Sequence, residues 1–295
     1  MPPSSPYVVP AGVAQEDEHL GTKPKFWFDD GEQGRRLFKR GRAGEDWSEW
    51  VAARLATRLG LPAARVDFAR HRGRDGVVSS SFLEPGDQMA HGNEILWGVD
   101  PTYPQLEIRK LRAYTVEACL RALAAVDTGA TVDGLEDGRD QWLGYLLFDA
   151  WIANSDRHHE NWAVVRRGAR TVLAPTYDHA ASLGRNLPLD KVRRRLVGND
   201  PRTTVESFCA RARSAFRSEA REGILHPLEA FRAGAGLRPG GAEYWLERLA
   251  LSKDGGAEVL AEVPNDRIED ERREFAVRML TCNRQRLLEV GRTDR

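Results

Sequence analysis

Short apolar runs separated by turn residues fill the first third of the chain, with one longer apolar run at helical spacing between them. Asp46–Leu59 has that helical spacing and is followed by Gly60, so it predicts a helix. The shorter runs predict four strands, Phe26–Asp29 and Arg36–Arg40 around an Asp30-Gly31 turn, then Arg65–Ala69 and Val77–Leu83. Together these elements indicate a small α+β unit.

After Glu84-Pro85-Gly86 the pattern becomes mainly helical. The predicted helices share apolar faces at helical spacing: Leu106–Asp127, Asp140–Ala153, Val205–Ala220, Ala242–Leu251 and Arg267–Val290. Trp162–Val165 and Thr171–Leu173 predict a hairpin among them. We therefore expect an α+β fold with two lobes: a flexible tail over residues 1–19, a β-rich N-lobe over 20–84 and a helical C-lobe over 85–295.

Composition narrows the class of protein. The 295 residues are 41% hydrophobic, which is enough for a buried core and excludes a disordered chain. No run of about 18 apolar residues occurs, so no membrane span is expected. Lys and Arg number 44, as do Asp and Glu, and this zero balance gives no indication of bulk attraction to nucleic acid. Only six basic residues are Lys, and three of them, Lys23, Lys25 and Lys39, lie close together in the chain.

The cysteines and the N-terminus bear on the compartment. Cys119, Cys209 and Cys282 are far apart in sequence and match neither a disulfide framework nor a zinc spacing. We expect buried free thiols in a reducing, cytoplasmic environment. The Pro- and Ser-rich segment Met1–Ala14 lacks the basic and apolar regions of a signal peptide.

The most informative segment is Asn154–Asn161, which is N-S-D-R-H-H-E-N and lies between a predicted helix and a predicted strand. Phosphoryl transfer needs a carboxylate that orients the attacking hydroxyl and an amide oxygen that helps to hold Mg²⁺, and Asp156 and Asn161 supply both types in one loop. Seventeen residues later Asp178 follows a second strand, the natural position for a further metal ligand. Mg²⁺ prefers few carboxylates together with waters and phosphate oxygens.

This segment has two other interpretations. An isolated Asp at a helix end is most often a turn residue, and Asp156 alone would be interpreted so. A zinc site built on His158 and His159 is disfavoured, because adjacent histidines rarely face one ion and no third His lies nearby. His158 is expected to brace the loop.

The pattern N-[ST]-D-R-H-x-x-N followed by P-x-Y-D resembles the HipA-like serine/threonine kinase family. Its D-R-H-x-x-N core is also similar to the catalytic loop of phosphatidylinositol 3-/4-kinases, whose metal-binding segment has an I-D-F-G form. Tyr177-Asp178-His179 matches the Y-D form common in HipA-like proteins. The resemblance implies a two-lobed, protein-kinase-like fold, with Asp156 as the catalytic base and Asn161 and Asp178 as metal ligands.

The same resemblance assigns residues of the N-lobe. Kinases use a strand lysine on the ATP phosphates and a glutamate on the next helix to hold it. Lys39 and Glu49 match these positions, with Glu45 as the alternative partner. The segment Gly21–Lys25 resembles the family's glycine-rich loop, in which Gly21, Thr22 and Lys25 would contact phosphates, although Pro24 removes one backbone N–H.

Two further sites follow from the kinase template. Phe82, Leu83 and Glu84 would form the hinge whose backbone groups bind adenine. The basic residues after Asp178 occupy the position of a substrate-binding segment, and they are Arg185, Lys191, Arg193, Arg194 and Arg195.

The expected function is an ATP- and Mg²⁺-dependent kinase that phosphorylates a Ser or Thr hydroxyl of a protein. A small-molecule or phosphoinositide-type lipid kinase uses the same loop and stays an alternative, as does a non-catalytic pseudokinase in a toxin–antitoxin or regulatory complex. HipA-like toxins are often longer, with an extra N-terminal subdomain, so an antitoxin partner does not follow directly from the resemblance. Direct binding of nucleic acid is not expected.

Overall fold

The computed structural model describes residues 5–13, 15–17, 24–42, 44–108, 111–129, 134–198, 200–218 and 222–293. Its N-terminal part is a six-stranded sheet with the order β1-β5-β6-β4-β3-β2. The strands are β1 (Tyr7–Val8), β2 (Glu16–Asp17), β3 (Lys25–Asp29), β4 (Arg35–Arg40), β5 (Val66–His71) and β6 (Arg74–Ser80). β1 pairs with β5 in parallel and the other pairs are antiparallel. The sheet therefore includes residues that the sequence assigned to a flexible tail.

The two faces of this sheet have different partners. Phe26, Phe28 and Phe38 pack together with Val78 on one face. On the other face lies helix α1 (Glu45–Leu59), where Trp50 stacks on Phe68 with ring centroids 5.0 Å apart. The predicted helix is thus confirmed, and its end is set by Gly60, whose φ of 78° is the left-handed conformation that glycine adopts readily.

The remaining described elements are mainly helical, with one small sheet. The strands β7 (Gln88–His91), β8 (Ala163–Arg167) and β9 (Arg170–Leu173) form a three-stranded antiparallel sheet, which contains the predicted hairpin. The helices are α2 (Gly92–Val99), α3 (Val116–Ala122), α4 (Gly138–Ile152), α5 (Leu189–Val197), α6 (Val205–Cys209), α7 (Pro227–Leu237), α8 (Pro239–Leu251), α9 (Ala257–Ala261) and α10 (Asp270–Thr293).

Helix α4 is the centre of this part of the molecule. All its residues except Arg139 are buried, and α7, α8 and α10 pack around it. Its large aromatic side chains Trp142, Phe148 and Trp151 are at most 1% exposed. Because α4 leads into the loop at Asn154 and the hairpin begins just after that loop, the loop lies between two well-packed elements. None of the described helices is long and apolar enough to cross a bilayer.

Three predicted elements were wrong in extent. The strand Val77–Leu83 begins at Arg74 and ends at Ser80, because the chain turns at Arg72-Gly73, where φ is positive at both residues. The helix predicted over Leu106–Asp127 is confined to α3, because the Thr115 hydroxyl accepts the Ala118 N–H and starts the helix there. Leu106, where the predicted helix would begin, is 92% exposed and does not pack in the core.

The helix predicted over Val205–Ala220 ends at Cys209. Beyond it the backbone bonds to other segments, since the Ser214 N–H donates to Leu225 O at 2.9 Å and the Arg217 N–H to Tyr114 O at 2.9 Å. These bonds replace the helical ones over residues 214–217. Residues 219–220 of the predicted helix lie outside the described part of the chain.

Candidate active site

The Asn154–Asn161 loop begins where Ala153 ends α4 with a φ of 51°. The Asn154 side-chain amide donates to Asp149 Oδ1 at 2.8 Å, and its Oδ1 accepts the Asp156 N–H at 3.2 Å. Asn154 therefore fixes the backbone on which the Asp156 carboxylate is carried. That carboxylate is 56% exposed and is therefore accessible from solvent.

Below the loop lies a buried ion pair that sequence reasoning missed. Arg157 Nε and Nη2 donate to the two carboxylate oxygens of Asp149, both at 2.8 Å. Its Nη1 donates to Asn161 O at 2.7 Å. Burial by itself lowers the pKa of Arg157, but the Asp149 charge outweighs it and holds that pKa above its ordinary value. A carboxylate inside an otherwise apolar predicted helix was the available signal, because a buried Asp requires a partner.

Asn161 closes the loop onto its own backbone. Its Nδ2 donates to Asp156 O at 2.6 Å, and its N–H donates to His158 O at 2.9 Å. Because the nitrogen of this amide is used inside the loop, the oxygen Oδ1 is the atom that would face a cation. His158 Nε2 lies 3.9 Å from Asp156 Oδ1, and its Nδ1 accepts the Glu160 N–H at 3.3 Å, which is a position suited to bracing the loop.

The segment that carries Asp178 is attached to the loop at both ends. The Tyr177 hydroxyl donates to Glu160 O at 2.9 Å, beside Asn161. The Ser155 N–H donates to Ala181 O at 3.3 Å, beside Asp156. The two segments with the predicted catalytic and metal-binding residues are thus held side by side. The backbone of Asp178 has a φ of 57°, a left-handed conformation that is uncommon for residues other than glycine. Such conformations often occur at functional sites.

Lys39 joins the sheet to this segment. Its Nζ donates to Glu49 Oε1 at 2.7 Å and to Asp178 Oδ1 at 3.3 Å. Burial by itself lowers the pKa of Lys39, but the charges of Asp178 and Glu49 outweigh it, so that pKa lies above its ordinary value. The ammonium is therefore charged at neutral pH. A Cβ at Gly76 would lie 2.2 Å from Lys39 O, so glycine is what lets β6 approach β4 here.

Helix α1 is fastened to the residues that follow Asp178. Ser48 Oγ lies 3.1 Å from Ala180 O and 3.2 Å from Ser182 Oγ. Glu45, the alternative partner proposed for Lys39, pairs instead with Arg185 at 2.9 Å. These contacts set the depth and rotation of α1, and with them the position of the Glu49 carboxylate.

Lys25 and the glycine-rich segment have different outcomes. Gly21 and Thr22 lie outside the described residues. Lys25 is the direct cross-strand partner of Lys39, so the two side chains leave the same face of the sheet. This register puts the second lysine of the cluster next to the first.

The predicted hinge differs in detail from a free adenine-binding edge. The Leu83 N–H donates to Ser81 Oγ at 3.2 Å and the Glu84 N–H to Asp87 Oδ2 at 2.9 Å. Phe82 packs against an apolar cluster formed by Ala163, Val165, Val172 and Ala174, with its ring 6.0 Å from that of Tyr177. An adenine that uses these N–H groups would have to displace the two side chains.

The basic residues after Asp178 do not form one face. Arg185 pairs with Glu45 on α1, Arg193 with Glu271 on α10 at 2.8 Å, and Arg195 donates to Thr204 O at 2.9 Å. Lys191 and Arg194 are exposed on α5. The structure therefore separates the cluster that the sequence suggested.

The donor set suits a cation that brings its own further ligands. No group of three or more His, Cys, Asp and Glu side chains in the described ranges is arranged to hold a metal. Asp178 and Asn161 offer one carboxylate and one amide oxygen. The Lys39 ammonium lies 3.3 Å from that carboxylate and already compensates part of its charge. Such a site fits Mg²⁺ bound through phosphate oxygens and waters better than a cation held by protein alone.

Comparison with known proteins identifies the family and the fold. A profile of the family described as the HipA-like C-terminal domain matches residues 19–232. The proinflammatory kinase CtkA of Helicobacter pylori superposes with a TM-score of 0.71 at 15% identity, over 96% of each chain. HipA of Shewanella oneidensis MR-1, solved with HipB and operator DNA, superposes with a TM-score of 0.58 at 17% identity.

The match to HipA covers 92% of this chain and 64% of that one. No curated protein matches the sequence. At these identities the structural neighbours show the fold, which is the two-lobed, kinase-like α+β fold that the sequence predicted.

Proposed function

The chain belongs to the family of HipA-like C-terminal domains, and from that premise we propose that it is a protein kinase that transfers the γ-phosphate of ATP to a Ser or Thr hydroxyl. The observation that carries this proposal is the contact of Lys39 with Glu49 and Asp178. Lys39 and Asp178 are 139 positions apart and meet there. Glu49 already pairs with the Lys39 ammonium, and the second carboxylate, that of Asp178, is 34% exposed and can also contact a bound cation.

In this proposal Lys39 and Lys25 bind the phosphates of ATP. The two lysines occupy directly opposed positions on β3 and β4, so both side chains can contact the same polyanion. Glu49 holds the Lys39 ammonium in position through a hydrogen bond of 2.7 Å. The lysine ammonium is a compact point charge on a flexible stem, so the planar guanidinium of arginine would not replace it freely at a phosphate.

Asp178 and Asn161 would hold Mg²⁺, which supplies charge neutralisation of the transferred phosphate. The Asp156 carboxylate orients the acceptor hydroxyl and takes its proton, while His158 and the Asn154 side chain keep the loop in place. Phe82 and its apolar cluster would pack against the adenine ring. The Shewanella HipA structure contains HipB, so a protein partner is also proposed for this chain, and affinity purification followed by mass spectrometry tests it.

The test compares the wild type with Asp156→Asn in [γ-³²P]ATP labelling of cell extract, followed by phosphosite mass spectrometry. Asp127→Asn is a matched control, because its carboxylate is 54% exposed against 56% for Asp156 and lies outside the loop. We expect labelling to fall by about two orders of magnitude or more in Asp156→Asn and to persist in the control.

Thermal shift with MgATP separates the other outcomes. Stabilisation by MgATP without transfer to protein would identify a pseudokinase, and labelling confined to extracted lipids would identify a lipid kinase. Labelling of protein that is unaffected by Asp156→Asn would contradict the assigned base.

A further inference from the structure

A cavity of about 420 Å³ lies next to the catalytic loop and is used by none of the steps above. Ser155, the residue before Asp156, forms part of its wall. Residues 181–182 and 184–187, which follow the Asp178 segment, form another part, and Phe208, Arg211 and Arg213 form a third. The volume is within the range of about 300–1,000 Å³ for ligand pockets, enough for a few residues of an extended peptide.

The charge of this cavity has one sign. Among the residues that the structure describes, its lining contains three arginines and no Asp or Glu. Arg185 is neutralised by Glu45 at 2.9 Å. Arg211 donates only to neutral groups in the described structure, Arg202 O at 2.7 Å and Ser207 O at 2.9 Å, and no ion pair of Arg213 occurs among the described residues.

The neighbouring side chain of Arg195 also experiences an excess of positive charge. Arg195 packs over the Phe208 ring at 5.4 Å, and its Nε is buried without a hydrogen-bond partner in the described structure. Burial first, and then the charge of Arg211, lower the pKa of Arg195. An anion bound at Arg211 and Arg213 would relieve this repulsion.

We infer that the cavity binds the acceptor segment of the protein substrate and selects acceptors with an acidic side chain close to the Ser or Thr. The inference rests on the proposed function, because it places the acceptor hydroxyl at Asp156. Arg211 and Arg213 would pair with a carboxylate or phosphate of the substrate, while Phe208 and Leu187 would pack on its apolar part.

Fluorescence anisotropy of labelled peptides tests the inference without any phosphoryl transfer. The peptides carry one Ser flanked on either side by Glu, by Gln or by phosphoserine. We expect the Glu peptides to bind about tenfold more tightly than the Gln peptides at low salt and to lose that advantage at high salt. Tighter binding of phosphoserine than of Glu would identify a previously phosphorylated segment as the preferred ligand.

The variants are Arg213→Glu and Arg211→Glu, with Arg202→Glu as the matched control. Arg202 is 85% exposed, lies in the same region and does not line the cavity. Arg211→Glu removes hydrogen bonds that Arg211 donates to backbone carbonyls, and their loss could disturb the local structure. Arg213→Glu removes no described hydrogen bond, so its effect on peptide binding can be interpreted without that disturbance. We expect both cavity variants to abolish the preference for Glu, and the control to retain it.

Equal binding of Glu and Gln peptides by the wild type would overturn the inference, and so would an equal effect of Arg213→Glu and Arg202→Glu. A failure of the proposed function is a different result, since it appears as absent transfer in the labelling experiment while peptide binding remains measurable.

Discussion

Arg157 and Asp149 face each other through two hydrogen bonds of 2.8 Å beneath the loop that carries Asp156 and Asn161. Their side chains are 1% and 6% exposed. The same guanidinium holds Asn161 O, and the same carboxylate holds the Asn154 side chain, so one buried pair positions both ends of the loop. The arginine of the D-R-H motif is therefore buried beneath the loop, where it supports the backbone.

We predict that Arg157→Met lowers the free energy of unfolding by about 3–5 kcal/mol, because Asp149 would be left buried without its counter-charge. Urea denaturation measures the change. Arg170→Met is the control, since Arg170 pairs with Asp127 on the surface and its loss should cost about 1 kcal/mol or less. Equal costs for the two variants would contradict a special role for the buried pair.

Lys39→Met is predicted to lower the rate of phosphoryl transfer about 100-fold or more, since the ammonium group that would contact the phosphates is lost. It should also destabilise the fold, by about 1–3 kcal/mol, because the buried Glu49 carboxylate loses a hydrogen bond of 2.7 Å and a counter-charge. Lys39→Arg keeps the charge but has a planar, wider head group, and we expect it to restore little of the rate.

Initial rates with saturating substrate, together with thermal denaturation, check both effects. Lys253→Met is the control, because Lys253 is an exposed lysine distant in sequence from the cluster. A Lys39→Met variant with the rate of the control would remove Lys39 from the mechanism.

Local motifs account for the part of this site that the sequence could predict. Lys39 and Glu49 were assigned on a strand and the next helix, and Asp156, Asn161 and Asp178 on loops beside packed elements; the structure brings Lys39, Glu49 and Asp178 into contact. What the sequence could not predict are the supports, because they join segments that are distant along the chain. Ser48 bonds to residues 132 and 134 positions later, and no periodicity marks such a contact.

The helices show the same limit. The central helix α4 was predicted from an apolar face at helical spacing and is confirmed, whereas the helix predicted over Leu106–Asp127 was too long, since only α3 forms within it. A capping hydroxyl at Thr115 decided the true start.

The thiol pair formed by Cys209 and Cys282 gives a prediction about reactivity. The hydrogen bond with Cys209 is the main cause that lowers the pKa of Cys282 to about 7, while it raises the pKa of Cys209. Cys209 is buried and Cys282 is half-buried. We expect iodoacetamide to modify Cys282 first, with a rate that rises through pH 7, and Cys209→Ala to move that rise to higher pH.

Mass spectrometry of the alkylated peptides at a series of pH values measures this order. Cys119, which is fully buried and has a raised pKa, is the internal control and should stay unmodified in the folded protein. Faster modification of Cys209 than of Cys282 would contradict the direction of the hydrogen bond.

His159 provides a prediction for acid stability. Its ring is fully buried, its Nδ1 lies 2.8 Å from the Tyr103 hydroxyl, and burial, followed by the charges of His158 and His91, lowers its pKa from 6.5 to about 4. Between these two pH values the unfolded chain binds a proton that the folded chain does not. The contribution of His159 to the free energy of unfolding is therefore fully present above about pH 6.5. It decreases by about 3 kcal/mol as the pH falls toward 4.

Urea denaturation of the wild type and of His159→Gln at pH values from 7.5 to 4.5 isolates this contribution, because other titrating groups such as His179 are common to both proteins. Gln keeps a hydrogen-bonding group near Tyr103 and does not titrate. We expect the variant to be less stable than the wild type at pH 7.5 and to lose less stability on acidification, so that the difference narrows with decreasing pH. A constant difference across the series would show that His159 keeps its ordinary pKa inside the fold.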